Sequence, residues 1–195
     1  NQDASDYEIV RQIHDKLIDL VNYNDPVGDG EVEWDRGQDL AHTAYGCLVT
    51  DSSGNPNYAV CDGYTLAMEY LLQQCGIEAA FIGGMAGSSQ ADAGGHAWNI
   101  VKIGSKFYNL DATWDAGSDP EDFKWFLKTN EEFTNHVRDL DYTTAAFNGA
   151  YPMAVESYCF GNHTWAKTYT VDVEATCSSY GMKSIHCVKC GEIKE

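Results

Sequence analysis

Basic side chains are scarce in this sequence: twelve Lys and Arg stand against thirty Asp and Glu, a formal net charge of −18. So few cations cannot neutralise a phosphate backbone or an anionic lipid surface, which argues against nucleic acid and such membranes as partners. The acidic excess is read as solubilising charge, with recognition of a basic substrate as the alternative. No apolar run approaches the ~20 residues that cross a bilayer, so no membrane span is expected. A signal-peptide pattern is also missing; either there is none or it precedes Asn1. What is present is core-forming material, 44% hydrophobic residues with five Trp and twelve Tyr. Over 195 residues this suits one mid-sized catalytic domain, at 1–153, and a small attachment at 154–195.

The stretch 59–114 organises the chain. It opens with Val60-Cys61-Asp62-Gly63-Tyr64 and closes with Gly95-His96-Ala97-Trp98 and Asn109-Leu110-Asp111. A thiol, an imidazole and a carboxylate therefore arrive in the order of a nucleophile, its base and the base's orienter. From Cys61 onward, Tyr64, Ala67, Met68, Leu71, Leu72 and Cys75 make the stripe of an amphipathic helix. Gly76 supplies its stop, and Asp62 suits the first turn. Cys61 then lies at the positive end of a buried helix, where a thiol pKa is expected to fall well below ~8.5.

The runs 96–103 and 106–111 read as two strands joined by Gly104-Ser105, a two-residue type II′ turn with glycine at its first central position. That turn sets Ile103 opposite Lys106, Val101 opposite Tyr108 and Trp98 opposite Asp111. His96 becomes a diagonal neighbour of Asp111 on one face, within reach of a hydrogen bond. Asp115, the competing acid, falls beyond the paired strand.

Elsewhere, 6–21 reads as a helix with Ser5 as N-cap and a stripe of Ile9, Val10, Ile13, Leu17, Leu20 and Val21. His14, beside that stripe, and His136 are read as structural. The segment 25–30 superficially has the look of a calcium loop, but Val27 and a missing distal Glu break the pattern. Cys47 and Cys75 are expected to be packed small hydrophobes. Residues 77–82 read as a buried strand and 83–95 as a Gly-rich connector or gating rim, with Gly94-Gly95 letting the backbone bring His96 close to Cys61. Phe123, Trp125, Phe126 and Leu127 read as core-facing.

These motifs also carry a resemblance. Ala59-Val60-Cys61-Asp62-Gly63-Tyr64, Cys75-Gly76-Ile77-Glu78-Ala79, Gly95-His96-Ala97-Trp98-Asn99 and Tyr108-Asn109-Leu110-Asp111-Ala112-Thr113-Trp114-Asp115 resemble the bacterial transglutaminase-like superfamily. His42-Thr43-Ala44-Tyr45-Gly46, Trp125-Phe126-Leu127 and His136 fit it as well. The resemblance spans roughly 5–140 and implies an α+β, papain-like fold, a helix carrying Cys packed on an antiparallel sheet carrying His and Asp. It implies Cys61 as nucleophile, His96 as base and Asp111 as orienter, with no cofactor for catalysis. Tyr45 and Trp98 are its substrate or oxyanion residues; the backbone N–H of Cys61 is the safer oxyanion donor. Members of the superfamily include cross-linkers, proteases, amidases and inactive proteins. The reading is a thiol enzyme that forms a thioester at Cys61 with a peptide or glutaminyl amide, hydrolysis being less demanding than amine transfer. Its alternative is an inactive surface binding module that retains the fold.

In the tail, Cys187-Val188-Lys189-Cys190-Gly191 has the shape of a zinc knuckle. With Cys177 and His163 it would complete a Cys3His site, folding a segment too short for a core of its own. His186 is the alternative nitrogen ligand, and two disulfides that enlist Cys159 are the alternative chemistry. The tail also resembles short Cys-rich repeats of Gram-positive surface proteins, through His163-x-Trp165 and Ala175-Thr176-Cys177, which implies a secreted or cell-surface bacterial protein with a β-rich C-terminal module.

Overall fold

The structure, a computed structural model, describes residues 4–23, 40–49, 57–89, 91–116, 124–160, 163–189 and 193–194. The calcium-like segment 25–30, Phe123 and Cys190 lie outside the described residues.

Helix α1 (Asp6–Leu20) starts at Ser5 with a capping box: the Glu8 N–H donates to Ser5 Oγ, and the Ser5 N–H donates to the Glu8 carboxylate. Its buried positions are Val10, His14 and Leu17; Leu20 faces solvent at the helix end. Strand β1 (Val21–Tyr23) pairs in parallel with β2 (Asn57–Ala59). Between them lies the short helix α2 (Ala44–Leu48), capped by Thr43. Helix α3 (Cys61–Gln74) follows β2 directly and ends at Gly76, whose φ of 79° is the left-handed conformation glycine accepts. Tyr64, Ala67, Met68 and Leu72 form its buried stripe as expected. Cys47 is fully buried, but Cys75 is exposed with Gln73 and Gln74, because the last turn projects past the core.

The α+β expectation describes the fold. Its main sheet is four antiparallel strands in the order β5-β4-β3-β6: β3 (Ala79–Ala86), β4 (Gly94–Ile103), β5 (Lys106–Leu110) and β6 (His136–Arg138). Alternation splits the sheet residues between two hydrophobic layers. Ala79, Val101, Ile103, Tyr108 and Leu110 pack with α1 and α3. Ala80, Ile82, Trp98, Ile100 and Phe107 pack with Trp125 and Phe133 on the other side. Trp125, Phe126 and Leu127 are buried. Gly104 has φ 61° and Ser105 stays out of the positive region, as a type II′ turn requires, and the β4–β5 register keeps Ile103 against Lys106 and Val101 against Tyr108.

Two expectations for 83–95 are corrected. Strand β3 continues through Gly83 and Gly84 to Ala86, and β4 begins at Gly94, so the connector is confined to the residues between. Glycine at 84 admits a close approach within the sheet: a Cβ there would lie 2.1 Å from the Val137 carbonyl oxygen and 2.8 Å from the Trp98 ring. Gly94 and Gly95 sit in open space with ordinary φ, so they serve no close approach of His96 to Cys61. Short helix α4 (Ala112–Asp115) follows β5, and a 3-10 turn (Leu140–Thr143) and α5 (Ala145–Ala150) follow β6. Strands β7 (Thr170–Val173) and β8 (Met182–Ser184) form a separate antiparallel pair. Tyr158 and Cys187 nevertheless belong to the main core.

Gly84→Ala is expected to prise β6 from β3. Denaturant unfolding should register a loss of about 1–3 kcal/mol, the usual cost of overpacking; an unchanged midpoint would contradict the close approach.

Candidate active site

Asp111 follows the last residue of β5 and caps α4, its Oδ1 accepting the Trp114 N–H at 3.1 Å. The carboxylate is buried, so its remaining oxygen needs partners from the protein. It has two. His96 Nε2 lies 2.7 Å and His136 Nε2 3.0 Å from the same Oδ2. The diagonal neighbourhood of His96 and Asp111 expected from the hairpin register is therefore a direct hydrogen bond. The second imidazole comes from β6, which pairs with β3 through Ala86 and His136.

Burial pushes the Asp111 carboxyl up, but the hydrogen bonds from His136 and His96 outweigh it and hold the group below the ordinary value of 3.8. An ionised carboxylate only accepts, so both rings carry their proton on Nε2. The other ring nitrogen of His96, Nδ1, has no hydrogen-bond partner among the described residues. His136 is different: burial lowers it below 6.5 against the opposing pull of Asp111. Its Nδ1 is buried without a partner, and its ring stacks on Phe133 at 3.8 Å between centroids, with Trp114 at 4.5 Å and Trp98 at 5.0 Å. An apolar cage of this kind holds a neutral ring, and His136 was missed as a site residue because no local spacing links it to Asp111.

Cys61 opens α3, and its backbone meets no side-chain cap. The thiol touches β4 at the Ala97 backbone, one residue from His96. It donates, however, to Asp62 Oδ1 at 3.1 Å, and among the described residues no hydrogen bond joins it to His96. The expected depression of its pKa is overturned. Burial, then the hydrogen bond to Asp62 and that residue's charge, push it up to about 12, over the opposing Ala97 and Asp62 backbone contacts. Asp62 itself is pushed up by burial but held below 3.8 by His42, whose Nδ1 lies 2.9 Å from Oδ2, and by the thiol.

The other expected site residues fall into two groups. Tyr45 is 60% exposed on α2 and its hydroxyl makes no hydrogen bond among the described residues. Trp98 is 1% exposed, its Nε1–H donating to Asn109 Oδ1 at 3.4 Å, so it is a wall beneath the histidines and not a substrate-facing surface. Asp115 accepts the Trp125 N–H and lies 3.3 Å from His14 Nε2, a buried pair that ties α1 to α4. No described helix is long and apolar enough to cross a membrane.

The family model of the transglutaminase-like superfamily matches residues 1–112, a span that includes Cys61, His96 and Asp111. The chain belongs to the transglutaminase-like superfamily. Two solved structures are similar to it. A protein described as a TGase has 14% identity and a TM-score of 0.44, over 60% of this chain and 29% of its own. One from Cytophaga hutchinsonii, provisionally described as a cysteine protease, has 18% identity and a TM-score of 0.40, over 72% of this chain and 39% of its own. The chain thus spans well under half the length of either. No curated protein matches it.

The pKa directions have a consequence for stability. Asp111 and His136 both have folded values below their unfolded ones, so the unfolded chain binds more protons in between. Their contributions are complete above about 3.8 and 6.5 and are lost as pH falls through the folded values. His136→Gln should therefore flatten the fall in unfolding free energy from pH 7 to pH 5, while Asp111→Asn should cost roughly 1.5–3 kcal/mol at pH 7 by taking the charged acceptor from a buried Nε2–H. A His136→Gln profile parallel to that of the parent chain would count against the assignment.

Proposed function

We propose that the chain is a cysteine acyl-transfer enzyme acting on peptide or glutaminyl amides, with hydrolysis as its preferred outcome. The observation that carries this reading is the His96–Asp111 hydrogen bond at 2.7 Å, which fixes a bare Nδ1 one residue from the Cys61 contact on β4. In the working state Sγ leaves Asp62 and turns to His96, which takes its proton. The thiolate attacks the amide carbonyl, and the oxyanion is met by the first-turn N–H of Cys61, which has no intrahelical acceptor. His96 returns the proton to the departing amine, leaving a thioester on Cys61. Water, deprotonated by His96, then adds to the thioester and releases the acid and the thiol; a lysine amine in place of water gives cross-linking. Asp111 holds the ring in the tautomer this requires, and His136 is a positioning residue that acts through Asp111.

A second reading, a binding module that retains the fold, is favoured by one observation: the thiol is bonded to Asp62 and raised to about 12. The two separate in one assay. Ammonia release from a glutaminyl peptide library, with and without a primary amine, is expected for the parent chain and lost in Cys61→Ala. Asp62→Asn removes the charge beside Sγ and should speed iodoacetamide labelling of Cys61 at pH 7.5 by roughly tenfold for each unit its pKa falls. Absence of turnover from any peptide, with Cys61 labelled no faster than Cys75 in either protein, would favour the binding module.

A further inference from the structure

The tail holds a second cluster of metal-binding side chains, outside the catalytic machinery. One ligand atom each from Cys159, His163 and Cys187 lie within 4.8 Å of one another. Backbone structure holds them there: Trp165 and Cys187 face each other in a β-bridge, the Val188 N–H donates to the Thr164 carbonyl at 2.8 Å, and the Ala166 N–H donates to the His186 carbonyl at 2.8 Å. The two sulfurs stand 3.7 Å apart. That is far beyond a disulfide, at about 2.05 Å. It is the edge of a tetrahedron, because two thiolates bound at about 2.3 Å to one tetrahedral ion are separated by about 3.8 Å.

We propose that Cys159, His163 and Cys187 form a structural zinc site that fastens the C-terminal segment to the core. Two thiolates and an imidazole are a donor set suited to zinc. The need for a fastener is visible in the segment itself: all four residues of β7 are exposed, and over 163–189 the buried residue is Cys187, which packs into the main core. Tyr158, beside Cys159, stacks on Tyr7 of α1 at 5.1 Å, so the ion ties the tail to the first helix as well as to the sheet. A cleft of about 780 Å³, lined in part by Tyr7, Tyr158 and Trp165, reaches one of the three ligands, His163.

This ligand set differs from the one expected from spacing. Cys177 is exposed and outside the cluster, since it lies in the loop that joins β7 to β8. His186, the alternative nitrogen, is also outside the cluster, its Nε2 lying 2.6 Å from Asp172 Oδ1 and 2.9 Å from Ser184 Oγ. Cys159, which the spacing offers only to a disulfide, takes the place of Cys177.

The test is zinc content of the full chain, loaded with zinc chloride under reducing conditions and freed of excess ion. One zinc per chain is expected, retained in Cys177→Ser and bound at least tenfold more weakly in Cys159→Ser and Cys187→Ser. Where a serine variant does not fold, cobalt loading of the unaltered chain carries the test: thiolate-to-cobalt charge-transfer absorption with tetrahedral intensity supports the site, and its absence overturns it. Zinc lost from Cys177→Ser but kept by Cys159→Ser, or no zinc retained at all, would overturn it equally.

Discussion

Everything around the candidate active site depends on one buried carboxylate with two imidazoles on the same oxygen. His136 and His96 both donate to Asp111 and hold its carboxylate ionised against burial, and Asp111 in turn fixes which nitrogen of each ring faces it. Three features of the fold converge to make this possible. The type II′ turn fixes the β4–β5 register, α4 supplies an N–H to Oδ1, and the β3–β6 pairing delivers His136 into an aromatic cage. Gly84 belongs to the same arrangement, since any side chain there would meet both β6 and Trp98.

The thiol side of the site is held in the opposite sense. A helix start favours a thiolate, yet Asp62, one residue on, accepts the Cys61 proton and adds a negative charge. The nearby charge and burial win over the helix end because they act at contact distance in a partly desolvated place. His42 on Asp62 keeps that carboxylate ionised and so keeps it an acceptor. The thiol is thus protonated and bonded to Asp62, and among the described residues no hydrogen bond joins it to His96.

Much of this was legible in the sequence because it rests on short-range rules. The Cys61 helix with its Gly76 stop follows from periodicity and from glycine's tolerance of positive φ, and the His96–Asp111 neighbourhood follows from a two-residue turn. The family resemblance drawn from the same motifs agrees with the superfamily to which the chain belongs. What was not legible depends on distant parts of the chain. His136 reaches Asp111 only through the pairing of β6 with β3. Cys159 meets Cys187 across 28 residues, while Cys177, much closer in sequence, points to solvent. The Gly83–Gly84 stretch reads as a connector in isolation because its role, admitting a neighbouring strand, lies in residues fifty positions away. Asp62 misled for another reason: the helix-end rule was applied to Cys61 without the charge of its neighbour.

The central claim is that one ionised Asp111 receives a proton-bearing Nε2 from each of two imidazole rings. Nitrogen-resolved NMR of the histidine side chains tests it most directly. The account predicts exchange-protected Nε2–H protons for both His96 and His136 at neutral pH, and the loss of protection at both in Asp111→Asn. An Nε2 without its proton on either ring, or protection that persists when Asp111 is replaced, would contradict it.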